Sequence, residues 1–126
     1  MWKMHNPNPN GKFVGDCTVR AITKATDKPW DEVYIGICIQ GFLMCDMPSN
    51  NSVWGAYLKS KGFKRKLLRD DCPDCYTIND FCRDHQQGTF VVAVHNHVLT
   101  VVDGDYHDSW DSGNENPIYY FERNEE

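Results

Sequence analysis

Residues 88–110 have the sequence GTFVVAVHNHVLTVVDGDYHDSW, and this stretch decides the fold. Valine, threonine, phenylalanine and tyrosine dominate it, which is typical of β-strands. Asp103-Gly104 separates two such runs, and this dipeptide favours a two-residue hairpin turn. We therefore predict strands over 89–95, 97–102 and 105–110, followed by another over 118–122, in an antiparallel meander.

The chain before this stretch has helical periodicity instead. Asp16 stands where a capping residue is expected, and Thr77 with Asp80 resembles a capping box at the start of another helix. The predicted helices cover 17–25, 30–41, about 51–61 and 77–87, and a short strand is predicted over 63–68. Helices followed by an antiparallel C-terminal sheet indicate the α+β class.

The length and composition fit one globular domain over residues 1–126. No apolar run approaches the roughly 18 residues of a membrane span, and the first residues lack the apolar stretch of a secretory signal. We therefore expect a cytoplasmic protein without a membrane partner. The net charge of −5 argues against nucleic acid as the main partner, although basic residues cluster over 59–69.

Cys17 is the first candidate for chemistry. A thiol in the first turn of a helix lies near unpaired N–H groups and the positive end of the helix dipole, which favour the thiolate. The like charge of Asp16 acts in the opposite direction, so a lowered pKa requires a third group such as an imidazolium. A lone cysteine at a helix start is otherwise a buried structural residue.

The second candidate is the set of histidines around the hairpin. If the predicted turn is correct, His97 and Asp108 project from the same face of neighbouring strands, within reach of an imidazole–carboxylate hydrogen bond. His95 shares that face only if its strand continues unbroken, and His107 should point away. Together with Cys17 these residues supply the three groups that a thiol hydrolase needs.

The order and spelling of these residues resemble the papain-like cysteine peptidases, most closely the short bacterial enzymes that process double-glycine leader peptides. Asp16-Cys17 opens a helix, His97 begins an apolar strand, and 108–110 is similar to the Asn-Ser-Trp with which papain carries its third catalytic residue. The resemblance covers 8–22 and 77–112. It implies a papain-like fold and hydrolysis of a peptide or amide bond, with Cys17 as nucleophile, His97 as base and Asp108 as the orienting residue.

Two positions leave alternatives open within this resemblance. The family often carries a glutamine upstream of the cysteine as an oxyanion donor, whereas Gly11 stands in that place here, with Asn10 beside it as a substitute. The spacing from His97 to Asp108 is shorter than is usual in the family, so Asp111 is an alternative third member. Similar spelling in small phage and bacterial proteins suggests a mobile-element origin, and the resemblance extends to catalytically inactive relatives.

A separate set of residues predicts a metal site. Its spacing, C-x₂-C-x₆-C-x₂-H, offers soft ligands for tetrahedral zinc. The ligands would be Cys72, Cys75, Cys82 and His85. Cys38 or Cys45 could replace one of them, and the alternative is two loop thiols with a packed third. A zinc-stabilised protein-interaction module of phage or mobile-element origin is therefore the alternative function.

A third hypothesis places a catalytic metal on the hairpin. His95 and His97 could bind it, with Asp108 or His107 completing the ligand set. This hypothesis leaves Cys17 without a role. The peptidase hypothesis, by contrast, requires no cofactor and expects a peptide or protein substrate.

Overall fold

Four helices and one six-stranded sheet make up the part of the chain that the structure, a computed structural model, describes, residues 1–68 and 75–124. The α+β class is confirmed. The helices are α1 (Cys17–Thr26), α2 (Trp30–Met44), α3 (Asn51–Ser60) and α4 (Ile78–Asp84). The strands are β1 (Trp2–Met4), β2 (Phe63–Leu67), β3 (Thr89–Val94), β4 (His97–Val102), β5 (Asp105–Asp108) and β6 (Tyr119–Arg123).

The sheet has the order β1-β5-β4-β3-β6-β2, and it is mixed rather than purely antiparallel. The predicted antiparallel meander is correct for β3, β4 and β5, but β6 pairs antiparallel with β3 instead of lying beside β5. At the edges of the sheet, β2 pairs with β6, and β1 pairs in parallel with β5. No strand is predicted for β1, because its three residues are too few to show an alternating pattern.

Two tight turns fix the register of β3, β4 and β5. Asp103 and Gly104 have φ values of 49° and 86°, and positive φ at both central residues is the mark of a type I′ hairpin turn, as predicted. A second two-residue turn joins β3 to β4, because Val94 pairs with His97 and Asn96 has φ of 56°. The predicted strand over 89–95 therefore ends one residue early, and His97 is the first residue of β4.

Helices cover both faces of the sheet, because the strands at its centre carry apolar residues on each side. On β3, Val91 and Ala93 belong to the cluster formed with α1, α2 and α3. Phe90, Val92 and Val94 belong to the cluster formed with α4. The first cluster places the start of α1 beside the end of the hairpin, and this junction carries the candidate site.

α2 is longer than predicted and buries only one side. Val33 and Ile37 are buried, whereas Tyr34 is 48% exposed. The helix also continues past Gly41, which does not end it. A Cβ at Gly41 would lie 2.8 Å from the backbone oxygen of Asp46, so this glycine allows the following loop to fold back onto the helix.

The start of α4 is predicted correctly, but its end is not. Thr77 and Asp80 exchange the two hydrogen bonds of a capping box. The helix ends at Asp84 rather than near residue 87. Just beyond its end, the Gln86 side chain donates a hydrogen bond to the carbonyl of Cys82. No helix in the described ranges is long and apolar enough to cross a membrane.

Candidate active site

Cys17 is the first residue of α1, and its thiol is partly exposed. The preceding residue, Asp16, occupies the capping position, but its carboxylate makes no capping hydrogen bond. It accepts instead from Arg20 at 2.5 Å and from the indole Nε1 of Trp30 at 2.8 Å. The predicted capping role of Asp16 is therefore wrong, because a buried guanidinium and an indole compete for its oxygens.

His97 and Asp108 form the predicted imidazole–carboxylate pair. Nε2 of His97 lies 2.6 Å from Oδ2 of Asp108, and their side chains are 12% and 0% exposed. The same oxygen accepts from the Ser112 hydroxyl at 2.7 Å. The other oxygen accepts from the backbone N–H of Ser109 at 2.8 Å and from Arg20 at 3.3 Å. Both oxygens of this buried carboxylate therefore have donors, as burial requires.

The thiol of Cys17 is electrostatically coupled to His97. Burial acts to raise the pKa of Cys17, but the hydrogen bond and charge of His97 outweigh it and lower the pKa overall. The backbone N–H of Val98 and the Thr18 side chain contribute in the same direction. Because Nε2 of His97 is bound to Asp108, Nδ1 is the ring nitrogen left to face the sulfur.

The pKa shifts of the other two groups follow from the same contacts. Burial acts to lower the pKa of His97, but the hydrogen bonds of the ring to Asp108 and Cys17 raise it to about 9. Burial acts to raise the pKa of Asp108, but its bonds to His97 and Ser112 lower it overall. At neutral pH these directions favour a thiolate, an imidazolium and a carboxylate in series, an arrangement suited to nucleophilic attack and proton transfer.

An open cavity lies beside the sulfur. It has a volume of about 470 Å³, and Cys17, His97 and Val98 line it together with the start of α3 and the β3–β4 turn. A second cavity of about 320 Å³ shares Gly15, Thr18 and Ser49 with the first. The indole of Trp110 lies over His97, with ring centroids 5.0 Å apart. The thiol of Cys17 is therefore accessible to a ligand, whereas the imidazole of His97 is covered on one side.

The two alternative residues lie elsewhere. Asp111 is exposed and accepts from the Tyr106 hydroxyl and the backbone N–H of Gly113, so Asp108 is the carboxylate that contacts His97. Asn10 is exposed, and its backbone N–H donates to Asn8 in a turn. It is not among the residues that line the cavity beside Cys17. The first-turn N–H groups of α1 have no partner within the helix and lie at the same end of α1 as the Cys17 sulfur.

The residues of the predicted zinc site have other surroundings. Cys72 lies outside the described residues, and Cys75 is disulfide-bonded, so it offers no thiolate ligand in this structure. Burial raises the pKa of Cys82 to about 11, which favours its neutral thiol. His85 stacks on Phe81 with ring centroids 3.8 Å apart, and its Nδ1 lies 2.8 Å from the carbonyl oxygen of the same residue.

The hairpin histidines do not converge either. His95 is exposed in the β3–β4 turn, and His107 packs against His5 with ring centroids 6.4 Å apart, away from His97 as its position on the strand predicts. Cys38 and Cys45 are free cysteines. Within residues 1–68 and 75–124, no group of three or more histidine, cysteine, aspartate or glutamate residues is placed to hold a metal ion.

Two residues of the site are absent from the sequence-based prediction. Arg20 and Ser112 both donate to Asp108, and neither was singled out. The spacing of Asp16 and Arg20 suits an ion pair on one helix, which is a signal that could have been noticed. No comparable signal marks Ser112.

Comparison with known proteins gives no match: no protein-family model, curated protein or solved structure is similar to this chain.

Proposed function

We propose that this protein is a papain-like thiol hydrolase that cleaves a peptide or amide bond through an acyl-enzyme on Cys17. The observation that carries the proposal is the series formed by Cys17, His97 and Asp108, with Nε2 of the histidine 2.6 Å from the carboxylate and the thiol pKa lowered by the imidazole. The open cavity beside the sulfur supports it, because a substrate carbonyl needs access to the nucleophile.

The papain-like assignment rests on how the fold divides these groups. The thiol is on the first residue of a helix, and the imidazole and carboxylate are on neighbouring antiparallel strands that pack beside it. The hydrogen bond from Nε2 of His97 to Asp108 also leaves Nδ1 to face the sulfur. The resemblance to papain implies the same three roles, with Cys17 as nucleophile, His97 as base and Asp108 as the orienting residue.

Each step of the proposed reaction balances. The thiolate attacks the carbonyl carbon, and the carbonyl electron pair moves to oxygen near the first-turn N–H groups of α1. When the tetrahedral species collapses, the C–N bond breaks and the leaving nitrogen takes the proton from Nδ1 of His97, which leaves a thioester on Cys17. Water then gives a proton to Nδ1 and attacks the thioester. Expulsion of the sulfur releases the acid and restores the thiolate–imidazolium pair.

Alkylation at acidic pH tests the activated thiol. Iodoacetamide at pH 6 should label Cys17 at least tenfold faster than the exposed Cys45, because an ordinary thiol of pKa about 8.5 holds less than about 1% thiolate there. His97→Ala should remove this preference. Equal labelling of the two cysteines, or an unchanged preference in His97→Ala, would contradict the proposed activation.

Hydrolysis itself is tested without knowledge of the substrate. The protein is incubated with a peptide library prepared from a bacterial lysate, and new amino termini are identified by mass spectrometry. Cleavages made by the wild type should be absent with Cys17→Ser and retained with Cys45→Ser, which is the matched control. A library left uncut, or cut equally by Cys17→Ser, would overturn the hydrolase proposal.

A further inference from the structure

A buried guanidinium connects the helix that carries the nucleophile to the strand that carries the carboxylate. Arg20 donates to Oδ1 of Asp16 at 2.5 Å and to Oδ1 of Asp108 at 3.3 Å. The three side chains are 7%, 6% and 0% exposed. One buried cation therefore lies between two buried carboxylates, one on each side of the junction between α1 and β5.

Stability alone is a poor explanation for this group. Transfer of charges out of water is costly, and well-packed apolar residues of similar volume often stabilise a protein as much as a buried ion group does. The arrangement of donors suggests a more specific role. On Asp108, Oδ1 receives Arg20 and the Ser109 N–H, whereas Oδ2 receives His97 and Ser112. The hydrogen bonds to Oδ1 thus help to determine the direction in which Oδ2 of the same carboxylate points.

We propose that Arg20 is a positioning residue, whose guanidinium holds Asp108 in the rotation that directs Oδ2 at Nε2 of His97. Arg20 contacts neither the sulfur nor the cavity beside it, so it acts through Asp108. The role of Arg20 in catalysis rests on the proposed function. The effect of Arg20 on the ionisation of His97 can be measured without a substrate.

Other charged groups face this network and belong to the argument. They are Asp16, just before α1, whose second oxygen accepts from Trp30, and Lys24 on α1, one turn beyond Arg20. Burial, followed by the charge of Lys24, lowers the pKa of His5, while a hydrogen bond to the Arg20 backbone acts to raise it and the charge of Arg20 acts to lower it. A neutral His5 leaves Arg20 as the cation that contacts Asp108 besides His97.

Positioning and simple charge repulsion predict opposite results for Arg20→Met. If the guanidinium acted only as a nearby positive charge, its removal would favour the imidazolium and raise the pKa of His97. If it positions Asp108, its removal lets the carboxylate turn away from the ring, and the pKa of His97 falls. The sign of the change separates the two roles.

The experiment is an NMR pH titration of the His97 ring in the full-length protein. In Arg20→Met the pKa should fall by about one pH unit or more from its raised wild-type value, and Arg20→Lys should restore part of the loss, since lysine keeps the charge without the forked geometry. Arg83→Met, which removes an exposed arginine paired with Asp80, is the matched control and should leave the titration unchanged. A raised or unchanged His97 pKa in Arg20→Met would overturn the proposal.

A second variant guards against loss of folding. Arg20→Met leaves Asp16 buried without its cation, whereas Asp16→Asn combined with Arg20→Met removes both charges of that pair. The double variant should show the same lowered His97 pKa, and a wild-type pKa in it would equally overturn the inference. If the wild type fails to cut peptides while Arg20→Met still lowers the His97 pKa, the hydrolase proposal fails and the positioning role stands.

Discussion

Replacing Asp108 by asparagine would separate the charge of this residue from its hydrogen bond. The amide oxygen of asparagine can still accept the proton on Nε2 of His97, so the ring keeps its orientation. The negative charge is lost, however, and with it a main cause of the raised His97 pKa. Asp108→Asn should therefore convert part of the thiolate–imidazolium pair into a neutral thiol and imidazole.

The size of this effect follows from the pKa of His97. That pKa is about 9, compared with 6.5 for an ordinary histidine. A gap of about 2.5 pH units corresponds to a change of about 300-fold in the ratio of protonated to neutral imidazole, to which Asp108 and Cys17 both contribute against the opposing effect of burial. The hydrogen bond to Asp108 survives in part, so we expect a loss of about tenfold.

The assay is the rate of iodoacetamide alkylation of Cys17 at pH 6, followed by mass spectrometry of its peptide. Asp111→Asn is the matched control, because Asp111 is a nearby exposed carboxylate that binds Tyr106 rather than His97. Asp108→Asn should slow the alkylation about tenfold, and the control should stay within about twofold of the wild type. An unchanged rate in Asp108→Asn, or an equal fall in both variants, would refute the reasoning.

Three further predictions concern stability, each measured by urea unfolding. Burial lowers the pKa of His107 to about 4, so the unfolded chain binds more protons and the free energy of unfolding falls as the pH drops from about 6.5 towards 4. His107→Gln should reduce this loss, whereas His95→Gln, at an exposed position, should not. Phe81→Ala should cost about 3–5 kcal/mol because Phe81 is fully buried, and Leu67→Ala, at a site 70% exposed, less than about 0.5 kcal/mol. Gly104→Ala should cost about 1 kcal/mol, because φ is +86° and a Cβ would lie 2.9 Å from a glutamine side chain. Equal stability of a variant and its control, or no change in Gly104→Ala, would contradict the corresponding prediction.

The central hairpin and its pair of polar residues could be predicted because both depend on local chemistry. The Asp103-Gly104 turn determines the register of β4 and β5, and the two-residue period of a strand then places His97 and Asp108 on the same face. The start of α1 at Cys17 follows in the same way from helical periodicity. These features can be predicted without knowing which distant segments of the chain pack together.

The remaining features depend on contacts between distant segments. Apolar residues occur all around α2, so periodicity could not show that Phe42 and Leu43 would be exposed. β1 has only three residues, and its partner is at the other end of the chain. The burial of Arg20 likewise depends on the approach of β5 to α1, which no local pattern encodes.

The long separation between Cys17 and the β4–β5 hairpin has a consequence for synthesis of the protein. A ribosome makes α1 well before the segment that contains His97 and Asp108, so the newly made sulfur has no imidazole beside it. The carbonyl of Asp108 is also held by Trp2 and by the backbone N–H of His5, two donors from the first residues of the chain. The nascent polypeptide therefore carries an ordinary thiol, and His97 lowers the pKa of this thiol only once these early and late segments meet.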